Sequence, residues 1–103
     1  MNLEEDFDRE MRSIVENALN AGYNPIDFRC MLDQHGGVET AKRLLAVENP
    51  QSGLNRLWEM RMLDQSMEAK VVLERFRTLF TDEEIATART RLEDRNYEFQ
   101  ERQ

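Results

Sequence analysis

The chain of 103 residues contains only one cysteine, Cys30, and one histidine, His35. A single cysteine cannot form an intrachain disulfide, so the fold does not depend on an oxidising compartment. A metal site needs several ligands at workable spacing, and these two residues lie five positions apart, on different faces of any helix that holds both. We therefore expect no metal and no cofactor, and we expect Cys30 to be a small buried apolar side chain.

Glycine and proline are also scarce, with four and two residues, and no segment alternates with the period of two that predicts a strand. Leucine, glutamate, arginine, methionine and alanine are plentiful, and these side chains lose little rotamer freedom in a helix. We predict an all-α fold, a compact single-domain bundle of five or six short helices over residues 1–97. Trp58, the only tryptophan, is expected at its centre, and residues 98–103 are expected to form a frayed tail.

No apolar run approaches the roughly 20 residues that span a bilayer, and the acidic start of the chain is unlike a signal peptide. A cytoplasmic protein without a membrane partner is the expectation. The net charge is -7, with acidic ends and a nearly neutral middle. Such a surface repels phosphate backbones, so direct nucleic-acid binding is disfavoured, while a basic protein remains a suitable partner. The candidate acidic contact surface consists of residues at two helix starts: Glu4, Glu5, Asp6, Asp8, Glu10, Asp82, Glu83 and Glu84.

Helical periodicity divides the chain into segments. A first helix is predicted over about 3–21, with Asn2 as N-cap and Gly22 as the stop. Helices near 25–34 and from Val38 onward follow, then a loop over 48–53. Asp64 or Ser66 is expected to cap a helix beyond the Trp58 segment. Residues 81–84, Thr-Asp-Glu-Glu, predict a capping box that opens a last helix extending to about 96.

The sequence contains no catalytic constellation. Ser13, Ser52 and Ser66 lack the context of a nucleophile elbow. His35-Gly36-Gly37 is similar to an oxyanion loop, but the preceding strand and a nucleophile motif are missing, so these residues predict a helix end and a tight turn. We expect the protein not to be an enzyme.

The segment around the tryptophan provides a candidate partner-binding surface. Its members combine one aromatic ring, one methionine and charged side chains: Arg56, Trp58, Glu59, Met60, Asp64 and Glu68. Arg56 and Glu59 are spaced for an ion pair on a helix surface. Two interpretations remain open, a structural corner and a groove that binds a partner.

Four separated blocks resemble a small uncharacterised bacterial family with the pattern GGVxTAxRLL, GFxRLWE, LDLTxE and LFTxEE. Here the blocks read GGVETAKRLL, GLNRLWE, LDQSME and LFTDEE, within about residues 22–97. This chain differs at Leu54, where the pattern prefers Phe, and at Gln65-Ser66, where it prefers Leu-Thr. The resemblance implies short stand-alone proteins or domains of larger, sometimes defence-linked, bacterial proteins, and it implies no catalytic residues.

Three functions are compatible with these features. The first is a non-enzymatic protein–protein interaction module, for which a homodimer through the first helix is one arrangement. The second is a small acidic phage or mobile-element inhibitor that occupies the basic nucleic-acid groove of a defence nuclease. The third is an accessory domain that assists a restriction-type enzyme.

Overall fold

The computed structural model describes residues 2–47 and 52–99. Within these ranges the chain forms α-helices and 3₁₀ helices and no β-strand. The α-helices are α1 (Leu3–Asn20), α2 (Ile26–His35), α3 (Gly37–Leu45), α4 (Ser52–Glu59), α5 (Met67–Val71) and α6 (Asp82–Glu93). Two 3₁₀ helices, Leu63–Gln65 and Glu74–Leu79, lie on either side of α5. The predicted all-α single domain is confirmed.

Two capping boxes begin the longest helices, which confirms the predicted box at Thr81 and extends the predicted N-cap at Asn2 to a full box. Asn2 Oδ1 accepts from the Glu5 amide at 2.8 Å, and Glu5 Oε1 accepts from the Asn2 amide at 3.2 Å. At α6, Thr81 Oγ1 accepts from the Glu84 amide at 3.1 Å, and Glu84 Oε1 accepts from the Thr81 amide at 2.8 Å. Each box satisfies two backbone donors that a helix start leaves without partners.

Two other predicted helix boundaries differ from the structure, and one predicted cap is confirmed. Residues 48–51 of the predicted loop lie outside the described residues, and Ser52 and Gly53 begin α4 instead of ending that loop. Ser66 caps α5, since its side chain accepts from the Ala69 amide at 3.1 Å. The last helix ends at Glu93, before the predicted limit of about 96.

The main core is centred on Phe7 of α1. This side chain is fully buried, and its ring meets those of Phe76 and Phe80 edge to face, with centroids 5.1 Å apart in both pairs. Met11 and Val71 extend the same core between α1 and α5. A second, smaller cluster forms around buried side chains of α4, the first 3₁₀ helix and α6: Leu54, Leu63 and Leu92.

Of the predicted tail, 98–103, Glu98 and Phe99 are described and 100–103 lie outside the described residues. The Phe99 ring meets the Tyr97 ring edge to face at 5.4 Å, and both rings pack against the smaller cluster.

The Gly36-Gly37 pair is explained by backbone geometry. Gly36 has φ +81°, a conformation that L side chains rarely adopt. The Gly37 amide donates to Asp8 Oδ1 at 2.8 Å, which brings the start of α3 against α1. A Cβ on Gly37 would lie 2.8 Å from the Asp8 Cα, closer than van der Waals contact allows. The predicted helix end and turn are confirmed, and their role in the fold is to let two helices touch.

Candidate interaction surface

Trp58 lies on the exterior of α4, so the prediction of a central tryptophan is wrong. Leu54 and Leu57, three positions apart, form the buried face of this helix, and Trp58 is one step of about 100° around it from Leu57. The indole is 47% exposed. A helix of eight residues has one buried stripe, and two leucines already occupy it.

A cation is positioned beside the indole. The Arg95 guanidinium carbon lies 5.9 Å from the centroid of the Trp58 ring, at the outer limit of a cation–π contact. Arg95 is held from two sides: Nε and Nη2 donate to Asn55 Oδ1 at 3.0 and 2.7 Å, and Nη1 donates to the Arg91 carbonyl at 2.6 Å. The charge next to the ring is therefore fixed before any partner arrives.

The end of α4 contains a residue in a costly conformation. Three helices end in the same way, with a residue at positive φ followed by an amide that donates to the carbonyl five residues earlier. Gly22 occupies this position after α1, Asn96 after α6, and Arg61 after α4. Glycine accepts such a φ freely and asparagine tolerates it, whereas arginine costs about 1 kcal/mol or more.

These observations define the α4 surface, which comprises Arg56, Trp58, Glu59, Arg61 and Arg95. Arg56 lies 3.8 Å from Glu59, which confirms the predicted ion pair, and its guanidinium carbon is 5.9 Å from the Tyr23 ring centroid. The charged members of this surface are three arginines and one glutamate, on a chain whose net charge is negative. Both exposed tryptophan and arginine are enriched where proteins bind each other tightly.

The remaining predicted members of the partner-binding set lie in different elements and differ in exposure. Met60 is half-buried just after α4, and Asp64 is exposed in the first 3₁₀ helix. Glu68 is only 5% exposed, so it does not belong to the α4 surface. The reason is an internal partner that the sequence analysis missed, Arg91 of α6.

Glu68 and Arg91 form a buried ion pair. Arg91 Nη1 donates to Glu68 Oε2 at 3.0 Å. Arg91 Nη2 donates to the carbonyls of Leu44 and Val47 at 3.2 and 2.6 Å, and these carbonyls lie at and just after the end of α3. Arg91 falls between Ala88 and Leu92 of the buried face of α6. A charged residue inside an apolar stripe was the available signal for such a pair.

Most of the predicted acidic contact surface is occupied by contacts within the chain. Asp6 pairs with Arg9, Asp8 accepts from Gly37 and Arg12, Glu10 contacts Lys70 at 3.4 Å and Arg75 at 2.8 Å, and Glu5 and Glu84 belong to capping boxes. Among the described residues, Glu4, Asp82 and Glu83 have no ion pair. The eight acids therefore do not form one free surface.

Glu84 shows how tightly one of these acids is held. Burial would raise its pKa, but hydrogen bonds from Lys42 and Thr81 outweigh that effect and lower the pKa below its ordinary value. Lys42 Nζ donates to Glu84 Oε1 at 2.8 Å, which joins α3 to the start of α6.

Metal-binding and nucleophilic groups are dispersed. Cys30 is exposed, so the expectation of a buried thiol is wrong. Within 2–47 and 52–99, no three His, Cys, Asp or Glu side chains are grouped to hold a metal ion. The Ser66 hydroxyl donates to the Leu63 carbonyl at 2.6 Å and caps α5. In the same ranges, no helix combines the length and the apolar content needed to cross a membrane.

The sequence matches no family model, and the curated proteins and solved structures contain no significant match to it. The resemblance to the four-block bacterial pattern therefore stays a prediction.

Proposed function

We propose that the protein is a non-enzymatic protein–protein interaction module and that the α4 surface is its contact site. The observation that carries this proposal is the 47% exposure of Trp58. Apolar surface of an exposed indole stays in contact with water in the free protein. A partner that covers the indole would bury this surface and gain free energy of binding from it.

Two further features support the same surface. Arg95 is fixed beside the indole by Asn55, so little side-chain entropy is lost when a partner engages it. Arg61 retains a costly backbone conformation at the end of α4, and such conformations are concentrated at functional sites. The indole and the arginines of the α4 surface suit a partner that presents apolar and acidic side chains together.

The acidic-inhibitor alternative is less well supported. It requires free carboxylates to imitate a nucleic-acid backbone, and most of the acids proposed for that role are paired or cap helices within the chain. The accessory-domain alternative needs the same kind of contact surface, and the identity of the partner would distinguish it from a stand-alone module.

The test is capture of partners by the wild-type protein and by Trp58→Ala from cells of the native host. We expect Trp58→Ala to lose a partner that the wild type retains. Leu19→Ala is the matched control, because Leu19 is also exposed, at 41%, and belongs to a different helix. Equal recovery of every partner by both variants would contradict the proposal.

Fluorescence gives a second, direct measurement because Trp58 is the only tryptophan. The free protein should emit as a largely hydrated indole, and a partner that covers the α4 surface should shift the emission to shorter wavelength. A blue shift on raising the concentration of the protein alone would instead identify a second copy as the partner. An unchanged spectrum in the presence of a captured partner would place the contact elsewhere.

A further inference from the structure

A second surface, an apolar groove, lies on the other elements of the fold. It has a volume of about 680 Å³ and is lined by side chains from all six α-helices. This volume lies within the range of ligand-binding clefts. Trp58 does not line the groove, although Leu54 and Leu57 of the same helix do. The groove is therefore distinct from the α4 surface.

The rim of the groove exposes large apolar side chains. Ile26 is 60% exposed and Val47 is 43% exposed, and they lie at the start of α2 and just after α3. Inside, Ile14 and Leu54 are buried. Apolar surface thus continues from the interior onto the rim, so an occupant would reach beyond the groove, as a segment of a protein chain does.

The charged groups of the groove favour a cation. Arg91 is occupied by Glu68 Oε2 and by two backbone carbonyls, so it offers no free charge. Among the described residues, Glu68 Oε1 accepts no hydrogen bond, and Asp27 at the wall has no ion pair. Among the described side chains that line the groove, Glu68 Oε1 and Asp27 are open acceptors and the one cation, Arg91, is already paired. A positively charged hydrogen-bond donor is therefore favoured over an anionic occupant.

We propose that this groove binds an apolar segment of a protein partner that carries a lysine or arginine side chain beside its apolar anchors. The apolar anchors occupy the space between Ile26 and Val47, and the cationic side chain donates to Glu68 Oε1. This site goes beyond the proposed function, because it adds a second contact surface with the opposite charge preference to that of the α4 surface.

The test is selection of phage-displayed random peptides of about twelve residues on the folded full chain, a length that covers a helix or an extended segment. Enriched peptides should combine two or more large apolar residues with at least one lysine or arginine. Replacing that cation with norleucine in a synthetic peptide should weaken binding by about tenfold. Enrichment of neutral or acidic peptides, or no enrichment above background, would overturn the proposal.

Protein variants locate the binding site. Ile26→Lys should weaken the enriched peptides by about tenfold or more, since it removes an apolar contact and adds a repelling charge at the rim. Leu19→Lys is the matched control, because it changes the net charge equally at an exposed site outside the groove. Both substitutions are at exposed positions, and circular dichroism would verify folding. Equal weakening by the two variants would show a general charge effect and overturn the assignment.

The two proposals can fail separately. Peptides that are lost on Trp58→Ala but retained by Ile26→Lys would bind the α4 surface, which would overturn the groove and support the proposed function. Self-association that is abolished by both Trp58→Ala and Ile26→Lys would identify the occupant as a second copy that inserts its own α4 surface. That result would overturn a separate partner protein as the occupant of the groove.

Discussion

The region around Phe7 and the region around Trp58 are each built from an aromatic side chain on a helix, and they differ in what surrounds the ring. Phe7 is fully buried between two other phenylalanines, and α3 approaches closely enough for Gly37 to contact Asp8. Trp58 is nearly half exposed, with a fixed arginine beside it. The first region stabilises the fold, whereas the second leaves apolar surface in contact with solvent.

Alanine substitutions of the two rings should differ most in their effect on stability. Phe7→Ala should lower the free energy of unfolding by about 3–5 kcal/mol, because it removes a buried ring and leaves a cavity. Trp58→Ala should cost about 1–2 kcal/mol, since only half of the indole is buried. Urea denaturation of both variants and the wild type measures the difference. Equal losses would contradict the distinction between a core ring and a surface ring.

Two glycine-to-alanine substitutions test how closely the backbones of α1 and α3 approach each other. Gly37→Ala should cost about 2–3 kcal/mol, because the new Cβ would force α1 and α3 apart. Gly53→Ala is the control: its Cβ would meet the Tyr23 hydroxyl at 3.6 Å, an ordinary contact, and alanine favours helix. We expect this control to be neutral or stabilising by up to about 1 kcal/mol. Thermal melts that rank the two variants in the reverse order would contradict the close approach of α1 and α3.

Arg61→Gly tests whether the costly backbone conformation after α4 serves binding. Glycine relieves the costly backbone conformation after α4, and we expect a gain of about 1 kcal/mol in the free energy of unfolding. Asn96→Gly, at the same position after α6, should gain less because asparagine tolerates positive φ. If Arg61 is retained for binding, the more stable variant should capture partners less well than the wild type. If Arg61→Gly is more stable and still captures partners as well as the wild type, Arg61 does not contribute to binding.

A smaller effect is expected for the pH dependence of the contribution of Glu84 to stability. The pKa of Glu84 is lowered in the folded state, so its contribution to stability is present above its ordinary pKa and is lost as the pH falls through the lower, folded value. Glu84→Gln should therefore cost about 0.5 kcal/mol near neutral pH and nothing at low pH. Glu83→Gln is the control for the loss of one charge in the same helical turn. Denaturation midpoints of the two variants that stay parallel from pH 7 to acid would exclude a specific role for Glu84.

Local sequence patterns are enough to predict the helical class and the starts of the two longest helices. The N-cap at Asn2, the capping box at Thr81 and the glycine after α1 act within a few residues of chain, so the local pattern is sufficient to predict them. The apolar spacing of the first helix likewise identifies Phe7 and Met11 as core residues.

Packing between distant segments selects the side chains of the short helices that become buried. Leu57 and Trp58 are neighbours in the chain, yet the fold buries the leucine and leaves the indole nearly half exposed. In the sequence Glu68 looks like a surface acid, but it is buried in an ion pair with Arg91, which is distant in the chain. A helix of five or eight residues presents too few positions for periodicity to select one buried face, so contacts between distant segments make the selection.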